Sequence, residues 1–350
     1  MTPAKTIRLG TRSSALARWQ AEWVAARLAE LGVAVVLVPI TTSGDRHQQQ
    51  SIGEVGGQGL FTKEIQRALL DGQIDLAVHS LKDLPTDQVA GLALAAVPPR
   101  APVADLLVCR AACALEALPE QAVVGTGSLR RQAQLLALRR DLSIRGIRGN
   151  VDTRLRKLAA GEYDAVVLAE AGLKRLGLLE GDIEGGRGIG GASERGRREQ
   201  GEGQLGVRWS LADASGPTPG ALPAQRLSPP RLLPAVGQGA LGLESRSDDH
   251  HVRHAVEPLN HTESFASVLA ERAMLSALGG GCLAPVAGWG RVEQGRLVLT
   301  GRVLSANGER SAEATLFGEL TGPDHLGLRV ADALAAQGAA ELIDSSRRRA

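Results

Sequence analysis

The sequence predicts an α/β protein in which two strand–helix wound units are followed by a small α+β unit. Three observations predict it. From residue 6 to residue 169, short apolar runs bounded by turn signals alternate with segments of helical apolar spacing. Apolar residues make up 43% of 350, enough for packed cores in a chain longer than one core usually supports. Near the C-terminus, three alternating segments are separated by the hairpin signals Glu293-Gln294-Gly295 and Ala306-Asn307-Gly308.

The elements follow in order. Residues 6–9 read as a strand, and residues 14–31 as a helix stopped by Gly32. Its Leu16, Trp19, Trp23, Val24, Leu28 and Leu31 fall at helical spacing. The apolar run 34–40 is expected to be a buried parallel strand. Residues 41–59 are polar and glycine-rich, too long for an ordinary connection, and read as a lid. Thr62 caps a helix ending at Gly72, and 75–79 is the next strand. Pro98-Pro99-Arg100-Ala101-Pro102 reads as a linker. The second unit has strands at 105–109, 122–125, 142–147 and 165–169, with helices at 128–138 and 152–160.

Residues 181–206 collapse to Gly, Arg and Glu, and 216–234 is proline-rich. Neither composition buries a core, so both read as loosely ordered, and deleting 185–206 is expected to leave stability intact. Regular structure resumes at Ala235 with a short strand through Leu241 to Glu244. Thr262 caps a helix to Leu278, broken by Gly279-Gly280-Gly281, and a final helix follows Pro323.

Composition excludes several classes. Lys and Arg number 40 against 38 Asp and Glu, a formal charge of +2, and aromatics are 2%. That is neither the basic excess of a duplex binder nor the stacking platform of a single-strand binder. No apolar run is long enough to span a membrane, and the N-terminus lacks an apolar signal segment. The three cysteines, Cys109, Cys113 and Cys282, do not make a disulfide framework and fit a reducing, cytoplasmic compartment. Cys109 and Cys113 read as core packing.

The arginines stand out by position. Leu9-Gly10-Thr11-Arg12-Ser13-Ser14, Gly125-Thr126-Gly127-Ser128-Leu129-Arg130-Arg131 and Ile147-Arg148-Gly149-Asn150-Val151-Asp152-Thr153-Arg154 each put guanidinium groups where a helix begins. A helix start carries partial positive charge and free N–H groups, so cations belong at the other end. An anion lying between arginines and amides would account for the pattern. Solvated surface charge is the bland reading, and it does not explain the recurrence after strand-end turns.

Other residues carry chemistry less clearly. Lys82-Asp83 lies just past the strand at 75–79, at the edge where open α/β sheets bind ligands; a turn aspartate before proline reads equally well. Cys282 after three glycines suits a covalent attachment point, but taken alone it reads better as a small residue starting a strand. Gly237-Gln238-Gly239-Ala240-Leu241-Gly242 has dinucleotide spacing in the wrong context. His250, His251 and His254 read as a solvated helix start, and no metal site is expected.

Taken together, these segments resemble the porphobilinogen deaminase (hydroxymethylbilane synthase) family. The resemblance rests on Gly10-Thr-Arg-Ser-Ser-Ala-Leu-Ala, Gly56-Gly-Gln-Gly-Leu-Phe-Thr-Lys-Glu, Ala77-Val-His-Ser-Leu-Lys-Asp-Leu-Pro and Gly125-Thr-Gly-Ser-Leu-Arg-Arg-Gln. Further matches are Arg148-Gly-Asn-Val-Asp-Thr-Arg-Leu, Leu168-Ala-Glu-Ala-Gly-Leu-Lys-Arg-Leu-Gly, Leu233-Pro-Ala-Val-Gly-Gln-Gly-Ala, Ala270-Glu-Arg-Ala-Met and Gly279-Gly-Gly-Cys.

The resemblance implies two doubly wound, periplasmic-binding-protein-like α/β lobes plus an α+β domain with a three-stranded antiparallel sheet. Domain 1 would be 1–99 with 235–258, domain 2 would be 103–234, and domain 3 would be 260–350. It implies a cytoplasmic monomer that joins four porphobilinogen molecules head to tail into a linear tetrapyrrole, releasing ammonia. No nucleic acid, membrane or metal partner is implied. Cys282 would hold a dipyrromethane cofactor through a thioether, with Lys82, Asp83, Thr126, Ser128, Arg130, Arg131 and Gly172 around it. Arg12, Ser14, Arg148, Gly149, Asn150, Arg154, Arg175 and Gln238 would bind substrate. Asp83 would be the catalytic group, because loss of ammonia leaves a cationic azafulvene that a fixed carboxylate stabilises. The lid would keep water from that cation.

The sequence departs from the family at Gly127, where relatives often have serine, and at Gln58, where many have lysine. Beyond Gly177 there are about 40 extra residues, a length that implies an exposed insertion. The rival readings are a non-catalytic polycarboxylate-binding protein and a degenerate paralogue. Neither needs all of Asp83, the arginines and Cys282 at once.

Overall fold

The computed structural model describes residues 6–42, 62–111, 114–180, 205–208, 221–281 and 284–347. The N-terminal lobe winds through β1 (Ile7–Thr11), α1 (Ala15–Glu30), β2 (Val35–Pro39), α2 (Lys63–Leu70), β3 (Leu76–Ser80) and β4 (Leu92–Ala96). The second lobe repeats the plan with β5 (Asp105–Cys109), β6 (Val123–Gly125), α3 (Leu129–Leu138), β7 (Ser143–Arg145), α4 (Val151–Ala159), β8 (Ala165–Ala169) and α5 (Glu170–Arg175). It ends in β9 (Leu179–Glu180), β10 (Leu205–Arg208) and β11 (Ala221–Leu227). The chain then returns to the first lobe as β12 (Leu241–Arg246), followed by α6 (His250–Val256).

The sheet orders are β2-β1-β3-β12-β4 and β7-β6-β8-β5-β11-β10-β9. In each, a parallel trio (β1, β2, β3 or β6, β7, β8) is joined by one antiparallel strand that arrives from the other lobe. The chain therefore crosses between the sheets twice, at 97–104 and at 228–240. Both parallel trios send their carboxyl ends toward the gap between the lobes, the edge where such sheets bind ligands.

The third unit is a sheet of β13 (Val286–Glu293), β14 (Arg296–Leu304) and β15 (Ser311–Gly318). It is covered by α7 (Thr262–Ala277), α8 (Pro323–Ala335) and α9 (Ala339–Arg347), with Met274, Leu299, Val303, Val330 and Leu334 in one core. Both predicted hairpin turns are present.

Several expectations need correction. The strand at 34–40 is not buried. It pairs only with β1 at the sheet edge, and Val36 is 47% exposed. The Gly/Arg- and Pro-rich stretches contain ordered strands. Leu205 and Val207 on β10, and Ala224 and Leu227 on β11, are buried, and β11 pairs with β5. Strands of only four and seven residues were hidden by the surrounding composition. A deletion reaching Gly206 would remove half of β10 and is not silent.

The last predicted helix is two, α8 and α9, divided at Gly338 with φ +86°. The cap of α7 is His261, whose Nδ1 accepts from Ser264 N at 3.2 Å, rather than Thr262. Cys109 is buried as expected but is also disulfide-bonded. The reading of Cys109 as core packing alone is corrected accordingly.

Glycines where the two crossings meet explain the dinucleotide-like spacing. Gly239 has φ +86°, and a Cβ there would lie 2.4 Å from Ala101 O. Its own carbonyl accepts from Ala101 N at 3.2 Å and Arg175 Nη2 at 2.7 Å. The glycine lets one crossing segment lie against the other. Gly239→Ala combines a left-handed backbone with a clash against main chain that no rotamer relieves, so it should cost about 2 kcal/mol. Thermal melting checks this, and an unchanged Tm would mean the two segments can part freely.

Candidate active site

Asp83 sits at the end of a single 3-10 turn, Leu81–Asp83, that directly follows β3. Leu81 is buried and donates its N–H to Ala240 O at 3.0 Å. From the third unit, Arg272 donates to Leu84 O at 3.0 Å and to Pro85 O at 2.6 Å. The turn is pinned on both sides while the side chains of Lys82 and Asp83 stay exposed. Beside it, Ser14 caps α1 by accepting from Ala17 N at 3.3 Å, and Gln20 Nε2 donates to Ser80 Oγ at 2.8 Å. A cavity of about 70 Å³ opens here, lined in part by Arg12, Ser14, Gln20, His79 and Asp83.

The opposing lobe presents the β6–α3 turn. Thr126 Oγ1 accepts from Ser128 N at 3.2 Å, and Ser128 Oγ caps α3 by accepting from Arg131 N at 3.4 Å. The next two side chains do not reach into open cleft. Arg130 Nη2 donates to Asp105 Oδ2 at 2.8 Å, and Arg131 Nη2 to Asp105 Oδ1 at 2.7 Å. Their other terminal nitrogens are taken by Leu233 O at 2.5 Å and Val167 O at 2.9 Å.

Gln238 Nε2 completes the set, donating to Asp105 Oδ1 at 2.9 Å and Val103 O at 2.7 Å. Burial alone would raise the Asp105 carboxyl, but the two guanidinium groups outweigh it and hold it far below the carboxylate range. Burial lowers Arg130 despite that partner. So an internal aspartate lies between these two arginines. Among the described residues, Arg130 Nε, Arg131 Nε and Gln238 Oε1 are buried without hydrogen-bond partners.

Other cations face the cleft with fewer ties. Arg148 follows β7, and Gly149, at φ +104°, turns the chain so that Asn150 can cap α4, its Oδ1 accepting from Thr153 N at 2.9 Å. Arg154 donates Nε to Gly149 O at 2.9 Å, and desolvation, then Arg131 and Arg148, lower it to about 10 against the pull of Asp83. Lys82 is accessible to solvent yet enclosed between the lobes. Desolvation lowers it to about 8, with Arg131 and Arg130 adding to the shift and Asp83 and Asp105 opposing it. Desolvation also lowers Arg175, the partner of Gly239 O, to about 10. Gly172 on α5 lies against α1, where a Cβ would meet Leu16 at 3.8 Å.

The two lobes thus bring Arg12, Ser14, Lys82 and Asp83 opposite Arg148 and Arg154. Arg130, Arg131 and Gln238 form the floor beneath. Cys282 lies outside the described residues, as do 43–59 of the predicted lid. Three features were missed in the sequence. Asp105 looked like the polar first residue of an apolar strand. Glu271, fully buried on α7, accepts from Arg100 Nη1 at 2.6 Å, Gly237 N at 2.7 Å and Gly290 N at 2.6 Å, tying both crossings to the third unit. His79 and Glu244 form a buried pair at 3.0 Å. A lone acidic residue inside an apolar segment was the available signal in each case. Among the described residues no cluster suits a metal, and no helix is long and apolar enough to cross a membrane.

Residues 7–215 match the family model described as porphobilinogen deaminase, dipyromethane cofactor binding domain, and residues 265–336 match the porphobilinogen deaminase C-terminal domain. The chain belongs to the porphobilinogen deaminase family. A curated porphobilinogen deaminase of Syntrophotalea carbinolica is 41% identical over 342 residues, covering 97% of this chain and 96% of that protein. Another, of Geobacter metallireducens, is 41% identical over 341 residues, covering 97% and 94%. Among solved structures, a Salmonella typhimurium periplasmic binding protein with high arginine specificity is similar at 12% identity and TM-score 0.35, covering 73% of this chain and 92% of that one.

In family terms, the two α/β lobes correspond to the cofactor-binding match, which ends before β11 and β12. The three-stranded antiparallel sheet falls within the C-terminal match.

Proposed function

We propose that the cleft between the lobes is where this chain, as a hydroxymethylbilane synthase, joins four porphobilinogen molecules into a linear tetrapyrrole with loss of ammonia. Asp83 is the catalytic group in this reading. The observation that carries it is an exposed carboxylate, on a pinned turn, facing guanidinium groups supplied by the other lobe. Porphobilinogen carries an acetate and a propionate on its ring, so guanidinium groups can hold the substrate by its carboxylates while Asp83 meets the cation formed when ammonia leaves. We assign carboxylate binding to Arg12, Arg148, Arg154 and Arg175, and orientation to Ser14, Gly149 and Asn150.

The family's cofactor suits the residues present. A dipyrromethane is itself a polycarboxylate, and the Nε groups of Arg130 and Arg131, unpartnered among the described residues, with Lys82 beside them, could donate to its carboxylates. Thr126, Ser128 and Gly172 would line its site, Gln238 would brace the arginine floor toward the substrate, and Cys282 would carry it. When bound, the cofactor supplies an anchored pair of pyrroles from which the product chain grows. The residues here do the rest. They hold carboxylates, set the ring against Asp83, and keep Lys82 as a cation that yields its proton more readily than an ordinary lysine.

We also assign three domains, at 1–99 with 235–258, at 103–234 and at 260–350, and a monomer acting in the cytoplasm without nucleic acid. Intact mass with peptide mapping around Cys282 tests the reading. A mass excess equal to one dipyrromethane on the Cys282 peptide is expected. An unmodified mass that persists after incubation with porphobilinogen would favour a carboxylate-binding protein or a degenerate paralogue.

A further inference from the structure

Beneath Asp83 lies a buried acid–base pair for which the reading above has no task. His79, on β3, is 5% exposed and lines the same cavity as Asp83, Arg12 and Gln20. Its Nε2 lies 3.0 Å from Glu244 Oε2, on the neighbouring strand β12. The other oxygen, Glu244 Oε1, accepts from Gln66 Nε2 of α2 at 3.0 Å. All three residues are no more than 7% exposed, among apolar neighbours such as Leu76, Val78 and Leu243. On the same wall the hydroxyl of Thr62, 1% exposed, has no hydrogen-bond partner among the described residues. The cavity mixes apolar and polar lining and leaves that hydroxyl unsatisfied.

Stability does not explain the pair. A buried imidazole–carboxylate pair seldom does better than well-packed apolar residues of the same volume. What the arrangement does provide is orientation. In the tautomer whose Nε2 donates to the Glu244 carboxylate, the imidazole lone pair is on Nδ1. Gln66 holds the carboxylate in turn. An imidazole oriented by a fixed carboxylate is the arrangement that serves proton transfer elsewhere.

The reaction has a proton that needs such a group. In each addition the C–N bond of the protonated aminomethyl group, –CH2–NH3+, breaks, its electron pair leaving on nitrogen as neutral ammonia. A ring π pair of the growing chain's terminal pyrrole then forms the new C–C bond. That ring carbon still bears hydrogen, and it must lose it as a proton to regain aromaticity. The balance closes when this proton reaches the ammonia, giving one C–C bond and one ammonium ion.

We propose that His79 is a second catalytic residue, whose Nδ1 takes the proton from the ring carbon and hands it to the departing ammonia. Glu244 positions it, Gln66 positions Glu244, and Asp83 attends to the cation. This rests on the cleft being the active site.

The test uses the full-length protein with cofactor attached and porphobilinogen carrying deuterium on its free ring carbon. In His79→Gln, kcat should fall about 10²-fold with KM little changed. A primary deuterium isotope effect larger than that of the unsubstituted protein should emerge, because proton removal becomes the slow step. Glu244→Gln, which keeps the imidazole and loses its fixed acceptor charge, should show the same change in smaller measure. Added imidazole should restore part of the turnover of His79→Ala. The isotope effect is a ratio measured on whatever fraction is folded, so poor folding does not hide it. Turnover that falls with no change in isotope effect, or that does not fall, overturns the role of His79. If the unsubstituted protein makes no tetrapyrrole, the active-site reading itself fails instead.

Discussion

Asp83→Ala is expected to lower turnover by about 10²–10³-fold, the loss typical when one preorganised group facing developing charge is removed. The fold should not notice. Asp83 is exposed, and among the described residues its side chain makes no hydrogen bond or ion pair. Its turn is held through backbone instead, by Leu81 N on Ala240 O and by Arg272 on Leu84 O and Pro85 O. Melting should therefore move by no more than about 0.5 kcal/mol, as for an ordinary surface change. Asp83→Asn separates charge from shape, since the amide fits the same space without the negative charge. Both variants should be slow, and product formation by protein of verified cofactor content measures it. Near-normal turnover in Asp83→Ala would remove this carboxylate from the mechanism.

The position of Asp83 at a sheet edge was legible because its signal is local. A carboxylate three residues past a buried strand lies at a ligand edge whichever tertiary partners the strand finds. Most elements were legible for the same reason. The alternation of apolar runs with helical spacing sets β1 to β3 and β5 to β8 with the helices between them, and the hairpin turns set β13 to β15; β4 was not read. What escaped is long-range. Arg130 and Arg131 were correctly placed at a helix start, but their counter-anion is Asp105, some 25 residues earlier and on a different element. No pattern of spacing pairs an aspartate opening an apolar strand with two arginines opening a helix.

Arg100 and Glu271 lie 171 residues apart and meet only because the chain crosses between the lobes twice. β2 was misread because an apolar run does not say whether a strand is central or at an edge. β10 and β11 were missed because strands of four or seven residues weigh little in a composition window full of glycine and proline. The lesson is physical. Backbone preference is read along the chain, whereas charge satisfaction is decided across it.

The largest stability effect should come from Asp105. Its carboxylate, fully buried, is the shared acceptor of Arg130, Arg131 and Gln238, and Asp105→Ala would leave two buried guanidinium groups without a counter-charge. Breaking a buried pair from one side costs about 3–5 kcal/mol, because the remaining charge stays desolvated. Denaturant unfolding should show that loss near neutral pH. The pH dependence has a definite sign. The folded carboxyl is held far below its unfolded value, so its contribution is present above that unfolded value and is lost as pH falls toward the folded one. The gap between the protein and Asp105→Ala should stay constant at higher pH and narrow only below about pH 4, the ordinary aspartate value. A contrary result would be informative. If Asp105→Ala keeps its stability while losing only affinity for carboxylate ligands, the arginines are not held by the aspartate. The turn would then be the external-anion cradle that the sequence alone suggests.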